Sequence, residues 1–336
     1  MRIHWMAATI MAAAVTVGAT CAVEDGSADR QAATGSGGGK TPGQGGIAGQ
    51  GGSPSGTDAG PLGGGGVGGT GGAVDVTDFH APGPYAATVE EGTVPMASCG
   101  VAGEMAYTLF VPAGAPGAPL VVLGHGFNRA RQNMAEMAAH MASHGVRVVT
   151  PDLCHASIAD TDHRQNGVEQ VALAAALTQG APVIHAGYSA GGLAAILATA
   201  QDSTAVALLA LDAVDDDGLA VAAAPTISVP TLGIEGEPSS CNKQNNGGTS
   251  VTKLVPGGAA TVAVGATHCD FEGPTGILCT GLCGGEGQAG QRQLIRAMAT
   301  AFVAWQAGTD STGEDWVTSS GASYQALEGS GAIATR

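Results

Sequence analysis

Between residues 106 and 308 the chain alternates short, continuously apolar runs with longer stretches whose apolar positions recur at helical spacing. The runs "AYTLFVP" (106–112), "APLVVLGHG" (118–126), "VRVVTPDL" (146–153) and "APVIHAGYS" (181–189) are too short for buried helices. Apolar almost throughout, they predict strands, and the last three read as parallel strands covered on both faces. "AVALLALDAV" (205–214), "VPTLGIEGE" (229–237) and "ATVAVGATH" (260–268) have the same texture. "RQNMAEMAAHMASHG" (131–145) sets Met134, Met137, Ala138 and Met141 on one face and ends on Gly145, which predicts a helix with a glycine stop. "GVEQVALAAALTQG" (167–180) and "AGGLAAILATAQ" (190–201) predict two more helices, and "AGQRQLIRAMATAFVAWQAG" (289–308) a closing one. Regular alternation predicts an α/β domain over residues 74–336: a doubly wound, mostly parallel sheet with helices on both faces.

Before residue 74 this pattern is absent. From Gly26 to Gly72 nearly half the residues are glycine, mixed with Ser, Thr, Gln, Ala and Pro. Such a segment cannot bury a core, so residues 21–73 are expected to form a disordered tether. The first residues, "MRIHWMAATIMAAAVTVGATC", carry one arginine, an apolar run too short to span a bilayer, and small residues before Cys21. Residues 1–20 therefore read as an export signal. The approach to Cys21 resembles the lipobox of bacterial lipoproteins, in which that cysteine is lipidated. This implies a chain held at the cell envelope by its N-terminal lipid, or released if cleavage is of the ordinary kind.

Composition narrows the partners. A formal net charge of −16 argues against nucleic acid and against direct contact with an anionic membrane. With Cys21 set aside, six cysteines remain: Cys99, Cys154, Cys241, Cys269, Cys279 and Cys283. An even number in an exported chain predicts disulfides whose pairing the sequence leaves open. The competing zinc site, from Cys241, Cys269, Cys279, Cys283 and His268, lacks any C-x2-C pair.

"GYSAGG" (187–192) has the form G-x-S-x-G, but with 56 glycines in 336 residues the motif alone decides little. Its setting decides more, because it lies where a predicted strand ends and a predicted helix begins, the context of a nucleophile elbow. Ser189 is then a candidate nucleophile. A serine hydroxyl needs a base to take its proton. His268, in "GATHCDF", is the one histidine after Ser189. An acid must orient that imidazole, and Asp212, Asp215, Glu235 and Glu237 all lie near predicted strand ends. Asp212 is favoured because it ends the apolar run "AVALLALD"; Asp215 reads otherwise as a turn or helix cap. "GHGF" (124–127) follows another strand, which offers the N–H groups of Phe127 and Ala190 as oxyanion donors. His125 beside them reads as a structural hydrogen-bonding residue.

From about Val74 onward these motifs resemble the α/β-hydrolase superfamily. "LDAV" and "HCDF" are similar to chlorophyllases and platelet-activating-factor acetylhydrolases, and polyester hydrolases are more distant. The resemblance implies a serine carboxylic ester hydrolase with a Ser189–His268–Asp212 triad, no cofactor or metal, and a small-molecule or lipid-like ester substrate, acting as a monomer. Tyr188 and Ala190 differ from the residues usual in chlorophyllases, which argues against chlorophyll as the substrate. An amidase or peptidase using the same triad, or a catalytically silent binding protein, are the alternatives.

Overall fold

Each apolar run predicted as a strand contains one. In the computed structural model, which describes residues 76–115, 117, 119–283 and 287–336, nine strands form one sheet. They are β1 (Ala87–Pro95), β2 (Glu104–Pro112), β3 (Leu120–Gly124), β4 (Arg147–Pro151), β5 (Val183–Tyr188), β6 (Ala205–Leu211), β7 (Thr231–Glu235), β8 (Ala259–Ala263) and β9 (Ile333–Thr335). Their spatial order is β1-β2-β4-β3-β5-β6-β7-β8-β9. The six strands from β4 to β8 run parallel, while β2 and β9 pair antiparallel at either side. The segments expected to be an export signal (1–20) and a tether (21–73), with Cys21, lie outside the described residues.

The helices are α1 (Ala135–Ser143), α2 (His163–Thr178), α3 (Ala190–Thr199), α4 (Leu219–Ala223), α5 (Asn246–Leu254), α6 (Ile277–Cys283), α7 (Ala289–Gln306), α8 (Glu314–Val317) and α9 (Ala322–Gly329). The pleat divides the core between two faces. Val121 and Leu123 of β3 pack with Met137 and Met141 of α1 and Ile295 and Met298 of α7. Leu120 and Val122, one step out of phase, pack with Leu173 of α2. In β6, Leu209 and Leu211 face the first layer, and Leu208 and Ala210 meet Leu193 and Ile196 of α3. Burial on both faces is why these runs are apolar without alternation.

Several elements depart from the expected pattern. The helix at 289–308 does not close the fold, since α8, α9 and β9 follow and β9 covers the edge of β8. A three-residue strand has too few positions to show a period. The added strand β1 (ATVEEGTVP) lies at the opposite edge, where most of its side chains are exposed and no apolar run is required. Helix α2 starts at His163, four residues before the predicted stretch, because Asp162 caps it by accepting from the Gln165 N–H at 3.0 Å.

The six cysteines pair as Cys99–Cys154, Cys241–Cys283 and Cys269–Cys279. Cys269, Cys279 and Cys283 lie close enough to share an ion, but bridging takes up their sulfurs. Among the described residues, no helix is long and apolar enough to cross a membrane.

Burial also makes stability depend on pH. Burial holds His125, His144 and His163 below the ordinary histidine range and lowers His140 to about 4. These groups bind protons in the unfolded chain before they do in the folded one, so their contribution is complete above about pH 6.5 and is lost as pH falls toward 4. Burial raises Glu235 to about 7 and also raises Glu272, which opposes the trend, since their contributions grow as pH falls toward 4.5. With four histidines against these two carboxyls, the expected net result is a Tm that drops between pH 6.5 and pH 4, read by thermal melts across that range.

Candidate active site

The sheet changes its winding direction between β3 and β5. From β3 the chain crosses through α1 to β4 on one side, and from β4 it crosses through α2 to β5 on the other. The loops leaving the carboxyl ends of β3 and β5 therefore part and leave a crevice, the place where doubly wound sheets take ligands. Gly124 and Gly187 stand opposite each other at that edge.

Ser189 joins Tyr188, the last residue of β5, to Ala190, the first of α3. Its backbone sits at φ 56° and ψ −118°, a costly conformation for any residue with a Cβ. The turn is tight enough to need glycine on both sides. A Cβ on Gly187 would lie 2.1 Å from the Gly191 carbonyl oxygen, and one on Gly191 would lie 2.4 Å from that of Gly124. The strand register holds the strained residue in place, with the Ser189 N–H donating to the Leu211 carbonyl at 2.9 Å.

Three side chains from three loops then form one hydrogen-bonded chain. The Ser189 hydroxyl donates to His268 Nε2 at 3.0 Å, and His268 Nδ1–H donates to Asp212 Oδ2 at 2.5 Å. All three residues are buried. Asp212 follows β6 at φ 41° and is locked from several directions. Its N–H donates to the Ile234 carbonyl (2.7 Å), and its Oδ1 accepts from the Gly236 N–H (3.0 Å). His268 opens a short turn, His268–Phe271, whose start is held by the Thr267 N–H donating to Asp270 Oδ2 at 2.8 Å. Its ring centroid lies 4.9 Å from that of Tyr188. Such a chain can draw the proton from the hydroxyl as the oxygen attacks an electrophile, while the carboxylate stabilises the imidazolium.

The other acids considered from the sequence have different roles. Asp215 accepts from the N–H groups of Ala220 (2.8 Å) and Val221 (3.4 Å), so it caps the turn into α4. Glu237 accepts from the Gly265 N–H at 2.9 Å, and buried Glu235 lies 3.2 Å from Arg336. His125 is structural. Its Nε2 accepts from the Leu153 N–H (2.9 Å), so its proton sits on Nδ1 and is donated to the Gly126 carbonyl (2.8 Å).

Phe127 and Ala190 line one cavity together with Ser189. Among the described residues, neither of their N–H groups donates to a backbone or side-chain acceptor. Both are therefore available to a developing negative charge beside Ser189.

One residue at the site carries no sequence signal. Asn242 is fully buried, and its amide Nδ2 donates to both carboxylate oxygens of Asp212 (3.2 and 3.3 Å) and to the Glu237 carbonyl (2.9 Å). Its Oδ1 accepts from the N–H groups of Ser239 (2.8 Å) and Asn245 (3.2 Å). The polar loop "SSCNKQNN" reads as an ordinary turn, and nothing local distinguishes this asparagine from its neighbours. Two disulfides bracket the same machinery. Cys269 adjoins His268, Cys241 adjoins Asn242, and their partners Cys279 and Cys283 both lie on α6.

A scan against models of known protein families finds no match, and a search of curated proteins finds none either.

Proposed function

We propose that this chain is a serine hydrolase of carboxylic esters built on the α/β-hydrolase fold. The observation that carries this reading is the continuous chain from Ser189 through His268 to Asp212 at the carboxyl edge of a mostly parallel sheet. Ser189 Oγ attacks the ester carbonyl carbon while His268 Nε2 takes its proton. The oxyanion is met by the N–H groups of Phe127 and Ala190. The carbon–oxygen bond to the alcohol then breaks as the imidazolium returns the proton to the leaving oxygen. Water repeats the sequence on the acyl-enzyme and frees the acid. Three disulfides agree with a chain that works outside the reducing cytosol, as the sequence of its first twenty-one residues implies.

A panel of p-nitrophenyl esters tests the reading. The purified protein is expected to hydrolyse acetyl and butyryl esters, and the Ser189→Ala variant is not. Turnover of anilides with none of esters would indicate an amidase. No turnover of either by folded protein would indicate a binding protein.

Asn242 is a positioning residue in this scheme. A hydrogen bond to a charged group contributes about 1.5–3 kcal/mol, so Asn242→Ala is expected to lower kcat by about 10–100-fold. KM for a small ester should stay unchanged, because Asn242 bonds to Asp212 and not to the substrate. Steady-state kinetics separate the two constants.

Disulfide reduction should show the same dependence. The Cys241–Cys283 and Cys269–Cys279 bridges hold α6 against the loops that carry Asn242 and His268, and none of the three bridges lies within a strand of the sheet. Thiol treatment is expected to lower ester turnover while far-UV circular dichroism is still native. Loss of both signals together would contradict this.

A further inference from the structure

Two cavities open onto Ser189, and Phe127 and Cys241 border both. One, of about 300 Å³, is also lined by Ala190, Val214, His163, Asp216 and Lys243. The other, of about 570 Å³, is lined by Tyr188, His268, Arg129, Ile158 and the Cys241–Cys283 bridge. His268 lines only the larger one.

Resting on the ester-hydrolase reading, we propose that the substrate class is esters of a short acyl group with a bulky apolar alcohol. Proton flow assigns the cavities. When the tetrahedral intermediate collapses, the bond from the carbonyl carbon to the alkoxy oxygen breaks and the proton on Nε2 passes to that oxygen. The alcohol must therefore leave on the imidazole side, into the larger cavity. The acyl carbon stays on Ser189 Oγ with its oxyanion toward the N–H groups of Phe127 and Ala190, and its chain extends along Val214 into the smaller cavity. Water later attacks that carbon and the acid departs.

Size and the hydration of the charged lining make the two sides unequal. At about 30 Å³ for each water-sized group, the acyl side holds about ten non-hydrogen atoms and the alcohol side about nineteen. Each side holds an ion pair: Arg129–Glu272 on the alcohol side is already buried, whereas Lys243–Asp216 on the acyl side still meets water. Lys243 donates to Asp216 and to the Asp215 carbonyl, and His163 Nε2 lies 3.7 Å from Asp216. A long hydrocarbon tail pushed against that pair would strip it of water at a cost. The alcohol side has Ile158 at its rim with most of its side chain exposed, apolar surface that a large apolar alcohol would cover.

The experiment compares two ester series on the full chain: butyrates of ethanol, butanol and octanol, and ethyl esters of butyric, octanoic and dodecanoic acids. Single-methylene discrimination in an apolar pocket is worth about tenfold or more, so kcat/KM should rise at least about tenfold from ethyl to octyl butyrate. It should fall by a similar factor from ethyl butyrate to ethyl dodecanoate. Ile158→Ser is expected to lower the octyl-to-ethyl ratio and leave the dodecanoate-to-butyrate ratio unchanged. A preference for dodecanoate, a flat response to the alcohol, or an Ile158→Ser effect confined to the acyl series would each overturn the assignment. In those cases Ser189 would still be labelled by a fluorophosphonate. Failure of hydrolysis and labelling together would overturn the hydrolase reading itself.

Discussion

The His268→Ala variant is expected to lose about 10⁶-fold in kcat for ester hydrolysis, the scale on which a catalytic triad fails when its base is removed. Its fold should survive. The imidazole leaves behind an Asp212 carboxylate that still accepts from the Gly236 N–H and from Asn242, so no buried charge is stranded without partners. Ser189 keeps its backbone bond to Leu211 and its place in the elbow. The measurement is p-nitrophenyl butyrate turnover beside a thermal melt. Residual activity above about a hundredth of the parent's would mean that another base serves the serine, since the triad acts as a unit.

The second large effect is expected from Asp212→Asn, with turnover lower by about 10⁴-fold and Tm close to the parent's. The local hydrogen bonds dictate the mechanism. The Gly236 N–H donates to one Asp212 oxygen, so the new amide would turn its carbonyl oxygen there and present its NH2 to His268 Nδ1. The imidazole would answer by moving its proton to Nε2, the nitrogen that must accept from Ser189. The ring would stay in place in the wrong tautomer. Asp215→Asn and Glu237→Gln, which change a helix cap and a loop contact, should stay within a few-fold of the parent in turnover. Near-normal activity in Asp212→Asn with loss in either of the others would reassign the acid.

What the sequence disclosed follows the range of the interactions involved. The parallel strands and the elbow are local matters: an apolar run, two glycines and an apolar helix stand next to one another, and burial on both faces leaves a continuous mark. His268 was legible by elimination, because no other histidine follows Ser189. Asp212 stood among four acids near strand ends, and what separates it in the structure is its bond to His268 Nδ1, 56 residues away, held by an N–H 24 residues away. Asn242 lies 30 residues from the carboxylate it holds, and the cysteine pairs span 10 to 55 residues. Such contacts depend on how loops meet at the sheet edge and leave no periodic trace along the chain. The edge strands β1 and β9 were missed for a related reason, one being polar on its open face and the other only three residues long.

The most direct test of the central claim is intact-mass and peptide analysis after treatment with a fluorophosphonate. One stoichiometric adduct is expected on the peptide containing Ser189, none in Ser189→Ala, and a much slower reaction in His268→Ala, because the hydroxyl loses the base that activates it. Folded wild-type protein that takes up no adduct, or takes it up at another residue, would contradict that claim.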